Sequence, residues 1–178
     1  MNTDFVNLTT ESTYASKLEA VIKAMETVFE SAPYGIDHTM KVLDNARQII
    51  KEEKISSLSA HIVELSAVLH DIGAMKAMWK HGSMEGRFQE LEGVPVAKEI
   101  LQRQNYEQSV IDRVCYIVGN HHTPENIDGM DFQILWEADL IENMQMMDCI
   151  KDKEKLKHFI SENFKTQAGK VLASNKYK

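Results

Sequence analysis

Apolar residues recur at three- and four-residue steps along most of this chain, the spacing of helices buried on one side. Leu18, Val21, Ile22, Met25, Val28 and Phe29 fall on one such face. Ser12 or Thr13 would cap that helix, and Pro33 with Gly35 would end it. A second helix is predicted from about Asp37, with Met40, Leu43, Arg47 and Ile50 on its stripe. A third begins near Ser57 or Ser59, carries Ile62, Leu65, Val68, Leu69 and Ile72, and stops at Gly73 as a C′ residue. Residues 75–92 lose the period and contain Gly82 and Gly86. That stretch predicts a long ordered loop with one short helical turn, lying over whatever the site binds.

The period resumes with Val94, Ala97, Ile100 and Leu101, then with Val110, Val114, Ile117, Val118 and His121. Pro124, Asn126, Asp128 and Gly129 mark a loop over 123–129. Ile134, Leu135, Ala138, Ile141 and Glu142 define a further helix with Asp139 in its middle. Two short helices, around 156–164 and 167–172, precede a lysine-rich end expected to fray. Nothing reads as a strand, so the fold class is all-α.

Composition narrows the picture only slightly. With 8 glycines and 3 prolines in 178 residues, helices are favoured over a turn-rich β fold, and the length suits a single domain. The net charge of −7 argues against a nucleic-acid polymer or an anionic membrane as partner. A small phosphorylated substrate stays compatible, because a bound divalent cation supplies positive charge locally. Cys115 and Cys149 match no zinc or redox spacing and read as buried free thiols. With no signal-like start and no apolar run of the ~20 residues that span a bilayer, a cytoplasmic location is expected. The terminal helices leave a homodimer open.

Four polar residues stand where the stripes predict packing: His38, His70, Asp71 and Asp139. A histidine at a helix end also serves simply to bond a carbonyl or to favour the helix dipole. A mid-helix aspartate on an apolar face is harder to place without a partner, because burying a lone carboxylate costs several kcal/mol. Two neutral imidazoles and two carboxylates suit one divalent cation of the Mn, Fe, Co, Ni or Zn type.

The order His38, then His70-Asp71 within His-Asp-Ile-Gly, then Asp139 within Glu-Ala-Asp-Leu-Ile-Glu, resembles the HD-domain metal-dependent phosphohydrolases. The resemblance covers roughly residues 34–145. It implies a helical bundle in which those four residues hold one divalent cation. It also implies hydrolysis of a phosphate ester, often of a nucleotide, by a metal-activated water, with Asp71 orienting or deprotonating that water. Two rivals remain: an HD fold that binds metal and nucleotide without turnover, and a two-iron oxygenase. Two-metal relatives carry a histidine where this chain has Gln89, a poor ligand, which favours one ion.

Further candidates surround this set. His121 and His122 sit where such proteins carry histidines, either in the cleft on phosphate or in proton transfer, or as helix-end histidines on the last carbonyls. His121 continues the Val114–Ile117 stripe and is the preferred catalytic partner. Lys76, Lys80, His81 and Arg87 form either a clamp on substrate phosphate or a solvated surface. Glu92 is expected to position a water or act as general acid on the substrate, or to be an exposed first-turn carboxylate. Trp79 and Met78 read as anchors to the core rather than as a base pocket.

Overall fold

The computed structural model describes residues 3–178, with side chains from residue 13 onward. Among the described residues the chain forms α1 (Thr3–Val28), α2 (Pro33–Glu53), α3 (Ser57–Leu69), α4 (Ala74–His81), α5 (Gly86–Arg103), α6 (Gln108–Val118), α7 (Met130–Asn143), α8 (Lys153–Asn163) and α9 (Gln167–Lys176). Short 3-10 turns lie between α6 and α8, and no strand occurs among these residues. The fold is all-α, as the periodicity predicts.

α3 is the central rod. Val63, Leu65, Ala67, Val68 and Leu69 are all buried, so nearly every side of the helix meets protein. α1, α2, α6 and α7 pack around it. Each large apolar side chain buried this way contributes about 1.5–3 kcal/mol relative to exposure. Ser56 caps the helix start, its Oγ accepting from the Ser59 N–H at 3.1 Å. α1 lays Leu18, Val21, Met25 and Phe29 against the same core, as expected.

Several boundaries differ from the sequence reading, each for a local reason. Pro33 opens α2 instead of closing α1, because a proline at the first helical position loses no needed N–H. Gly35 lies inside α2, where an added Cβ would fall 2.6 Å from the Phe29 ring. Thr13 lies within α1 and is no cap; the side chain of Ser12 lies outside the described residues. The buried stripe of α2 runs through Val42, Leu43, Ala46 and Ile49, while Arg47 stands at the rim, paired with Glu64 at 2.7 Å.

Gly73 is not a left-handed cap: its φ is −80° and it leads into α4. A Cβ there would sit 2.2 Å from the Gln89 carbonyl oxygen and 2.5 Å from the Gly93 nitrogen. The backbone of α5 therefore rests directly on this glycine. The expected loop over 75–92 is helical apart from residues 82–85, and Gly93 lies within α5 rather than at its start. The chain end is anchored as well. Lys176 Nζ reaches Glu142 Oε2 at 2.7 Å, and the Tyr177 hydroxyl donates to the Ile141 carbonyl at 2.6 Å.

Candidate metal centre

Three helices that pack on one another bring the four polar residues together. His38 lies in the second turn of α2, and His70 is the residue that closes α3. Asp71 follows in the turn before α4, and Asp139 sits within α7. His38 Nε2 is 3.2 Å from His70 Nε2, 3.6 Å from Asp71 Oδ2 and 3.1 Å from Asp139 Oδ1. His70 Nε2 is 3.4 Å from Asp71 Oδ2 and 3.7 Å from Asp139 Oδ1. Donors bound about 2.0–2.2 Å from one ion, at right or tetrahedral angles, lie about 2.9–3.6 Å apart. The spacing of His38, His70 and Asp71 suits a shared cation, with Asp139 Oδ1 beside them.

The hydrogen bonds around these donors aim them inward. Asp139 Oδ2 accepts from Asn143 Nδ2 at 2.9 Å, while Oδ1 is buried with no hydrogen-bond partner. The His70 ring donates Nδ1–H to the Ala67 carbonyl at 2.8 Å, which leaves the Nε2 lone pair facing His38. Burial opposes charge on His70, but Asp71 and Asp139 outweigh it and push the imidazole up to about 9. Burial likewise opposes charge on Asp71, yet His70 and His121 hold its carboxyl well below the usual range. An orphaned carboxylate oxygen, two inward imidazole nitrogens and an ionised carboxylate fit a divalent transition cation.

The family model for the HD domain matches residues 35–157, a span that contains all four of these residues. This chain belongs to the HD-domain family. A solved structure described as a predicted HD superfamily hydrolase, from an uncultured Thermotogales bacterium, is similar to it at 24% identity, covering 88% of this chain and 83% of that one with a TM-score of 0.62. No curated protein sequence matches the chain.

Around the four donors, the HD domain carries a second group. His121 Nδ1–H donates to the Val118 carbonyl at 2.8 Å, and its Nε2 lies 3.3 Å from Asp71 Oδ1. Asp71 thus shares its oxygens, one toward His38 and His70, the other toward His121. Ligand atoms of Asp71, His121 and His122 all lie within 4.8 Å of one another. α5 holds this turn in place. Glu90 Oε1 accepts from the His122 N–H at 2.9 Å and the Thr123 hydroxyl at 3.0 Å. A Cβ on Gly86 would fall 2.6 Å from His122 Cγ, so only glycine leaves room for that ring. Gln89 donates its amide N–H to the Met84 carbonyl at 2.8 Å, and its Oε1 is buried with no hydrogen-bond partner.

The basic residues after the His-Asp pair converge on one carboxylate. Glu92 is buried at 3% exposure and meets Lys80 Nζ at 2.7 Å, His81 Nε2 at 2.9 Å and Lys76 Nζ at 3.3 Å. Bonds from Lys80 and His81 hold its carboxyl down at about 2. Glu92 therefore stays ionised and is not an exposed first-turn residue. Arg87 is exposed, pairs with Glu85 at 3.1 Å and lies over the Phe88 ring. Trp79 and Met78 point outward, at 84% and 44% exposure, and anchor nothing in the core. No helix among the described residues is long and apolar enough to cross a membrane.

The sequence reading passed over the carboxylates that organise the HD domain. Glu137, fully buried two residues before Asp139, accepts from the backbone N–H groups of Lys165 and Thr166 at 2.6 and 2.9 Å and from the Thr166 hydroxyl. Glu142, one turn after Asp139, lies 3.6 Å from Lys41, which is one turn after His38. Their position beside Asp139 in Glu-Ala-Asp-Leu-Ile-Glu was the available signal.

Proposed function

We propose that this HD domain is a metal-dependent hydrolase that cleaves a phosphate ester of a small substrate, a nucleotide being the favoured class. The observation that carries the reading is the buried Asp139 Oδ1, which makes no hydrogen bond and lies 3.1 and 3.7 Å from the two imidazole Nε2 atoms. The similar solved structure, described as a predicted hydrolase, supports the reaction type. His38, His70, Asp71 and Asp139 would hold the cation. A divalent ion in that position lowers the pKa of a water and polarises a phosphoryl oxygen. Asp71 would orient the attacking water, and its second oxygen lies 3.3 Å from His121 Nε2. With Nδ1–H given to the Val118 carbonyl, the His121 ring is held with Nε2 toward Asp71, beside the reacting centre.

Metal analysis of the purified protein, paired with a panel of nucleotides and phosphate esters in Mn²⁺, Co²⁺ and Mg²⁺, tests this directly. Hydrolysis of at least one ester is expected. Asp71→Ala should abolish turnover and lower the bound metal together. Protein that binds metal and nucleotide yet releases no phosphate from any ester would instead be a binding module. A second reading is a two-ion centre, favoured by the Asp71, His121 and His122 group and opposed by the amide of Gln89, a poor metal ligand. Two ions per chain, falling to one in His122→Ala, would select it.

A further inference from the structure

We propose that Glu92 assembles Lys76, Lys80 and His81 into a cationic subsite for a substrate with two or more linked phosphates, beside the metal centre. The proposal rests on the phosphate-ester reading and adds the class of ester. Lys76 and Lys80 are one turn apart on α4 and share a face. Both ammonium groups and the His81 ring bond Glu92, a carboxylate of α5 buried between the helices. Two ammonium charges against one carboxylate leave the cluster positive even before His81 is counted. The lysine side chains are 41% and 53% exposed, so donors not spent on Glu92 still face outward.

Stability alone gives little reason for this arrangement. A helix contact closed by apolar side chains is commonly as stable as one closed by a buried ion pair, or more so. What the carboxylate does is fix two flexible lysines in one place, and a polyanion gains from that, because less side-chain entropy is lost on binding. The cluster also belongs to the wall of the metal centre. Gly86 abuts the His122 ring, which lies 4.0 Å from the His121 ring, and His121 reaches Asp71. Phe88, two residues after Gly86, stacks on His81 at 4.4 Å. The exposed Arg87 stands between them. A chain of contacts along α4 and α5 therefore runs from Asp71 to the cations, and a substrate with its reacting phosphate at the metal would extend its further phosphates toward Lys76 and Lys80.

The test is calorimetric binding of orthophosphate and of inorganic tripolyphosphate to the metal-loaded protein, in excess Mg²⁺ so that the probe does not strip the centre. The wild type should bind tripolyphosphate roughly tenfold or more tighter than orthophosphate. Lys76→Ala and Lys80→Ala each leave Glu92 two basic partners, which protects the fold. Each should weaken tripolyphosphate roughly five- to tenfold, change orthophosphate less than about twofold, and keep the bound metal. Glu92→Gln should reproduce part of that selective loss, and Glu92→Asp should recover some of it. A merely structural role for Glu92 would shift both probes together. Equal affinity for the two probes in the wild type, or parallel losses in the variants, overturns the proposal. If the selectivity holds but no ester is hydrolysed, the subsite stands and the hydrolase reading falls.

Discussion

His70 and His121 close different helices yet are braced alike, each giving Nδ1–H to the carbonyl three residues back. The brace fixes which nitrogen faces the site, and Asn143 does the same for Asp139 by occupying its outer oxygen. Asn143→Ala should therefore lower metal affinity about tenfold, with the four donors intact, as read by metal titration. His61 shows the opposite use of a buried imidazole. It stacks on Tyr14 at 4.2 Å, its Nε2 lies 3.1 Å from the Tyr106 hydroxyl, and burial and then Lys17 lower it to about 4 from 6.5. The unfolded chain takes up that proton first, so this contribution is complete above about pH 6.5 and is lost as pH falls toward 4. His61→Gln should flatten the decline in unfolding free energy across that interval. The four candidate donors were legible because polar residues broke apolar stripes. Glu137 was not, and Glu92 was legible only as a candidate without its partners, since a glutamate in a charged helix does not announce which donors will fold onto it.

α4 and α5 were hidden for a physical reason. α4 buries only Ala74 and Ala77, side chains too small to form a visible stripe, and glycines stand at 82 and 86. Those glycines are there for space or a turn: Gly82 takes φ +66°, and Gly86 clears His122. At Gly73 the backbone contact with α5 predicts that Gly73→Ala costs about 1–3 kcal/mol, measured by urea unfolding, and displaces α4 from the metal centre. Gly82→Ala should cost less, because no neighbour lies within 4 Å of its added carbon and only the left-handed backbone opposes it. Glu137 ties α7 to the start of α9. Removing its side chain in Glu137→Ala strands several buried donors, and a loss of about 3 kcal/mol is expected in the same measurement.

Across the whole molecule, the candidate metal donors come from α2, α7 and the end of α3, which pack on one another mainly through their apolar faces. A cation held there would stitch α2, α3 and α7 together, and it would bind only the folded chain. Free metal at about a hundred times its dissociation constant should add about 2.7 kcal/mol, raising the melting temperature by about 5–11 °C over the chelated protein. A thermal shift insensitive to chelator would show that the donors do not converge in solution. The direct seat of α5 on Gly73 also bears on the length of the chain. One residue inserted between Asp71 and Gly73 would turn α4 by about 100° and put a side chain where only a backbone fits. The same insertion within residues 82–85 would merely lengthen a turn. Chains built on this plan should gain or lose residues at the α4–α5 corner, and hold constant the count from the aspartate to that glycine.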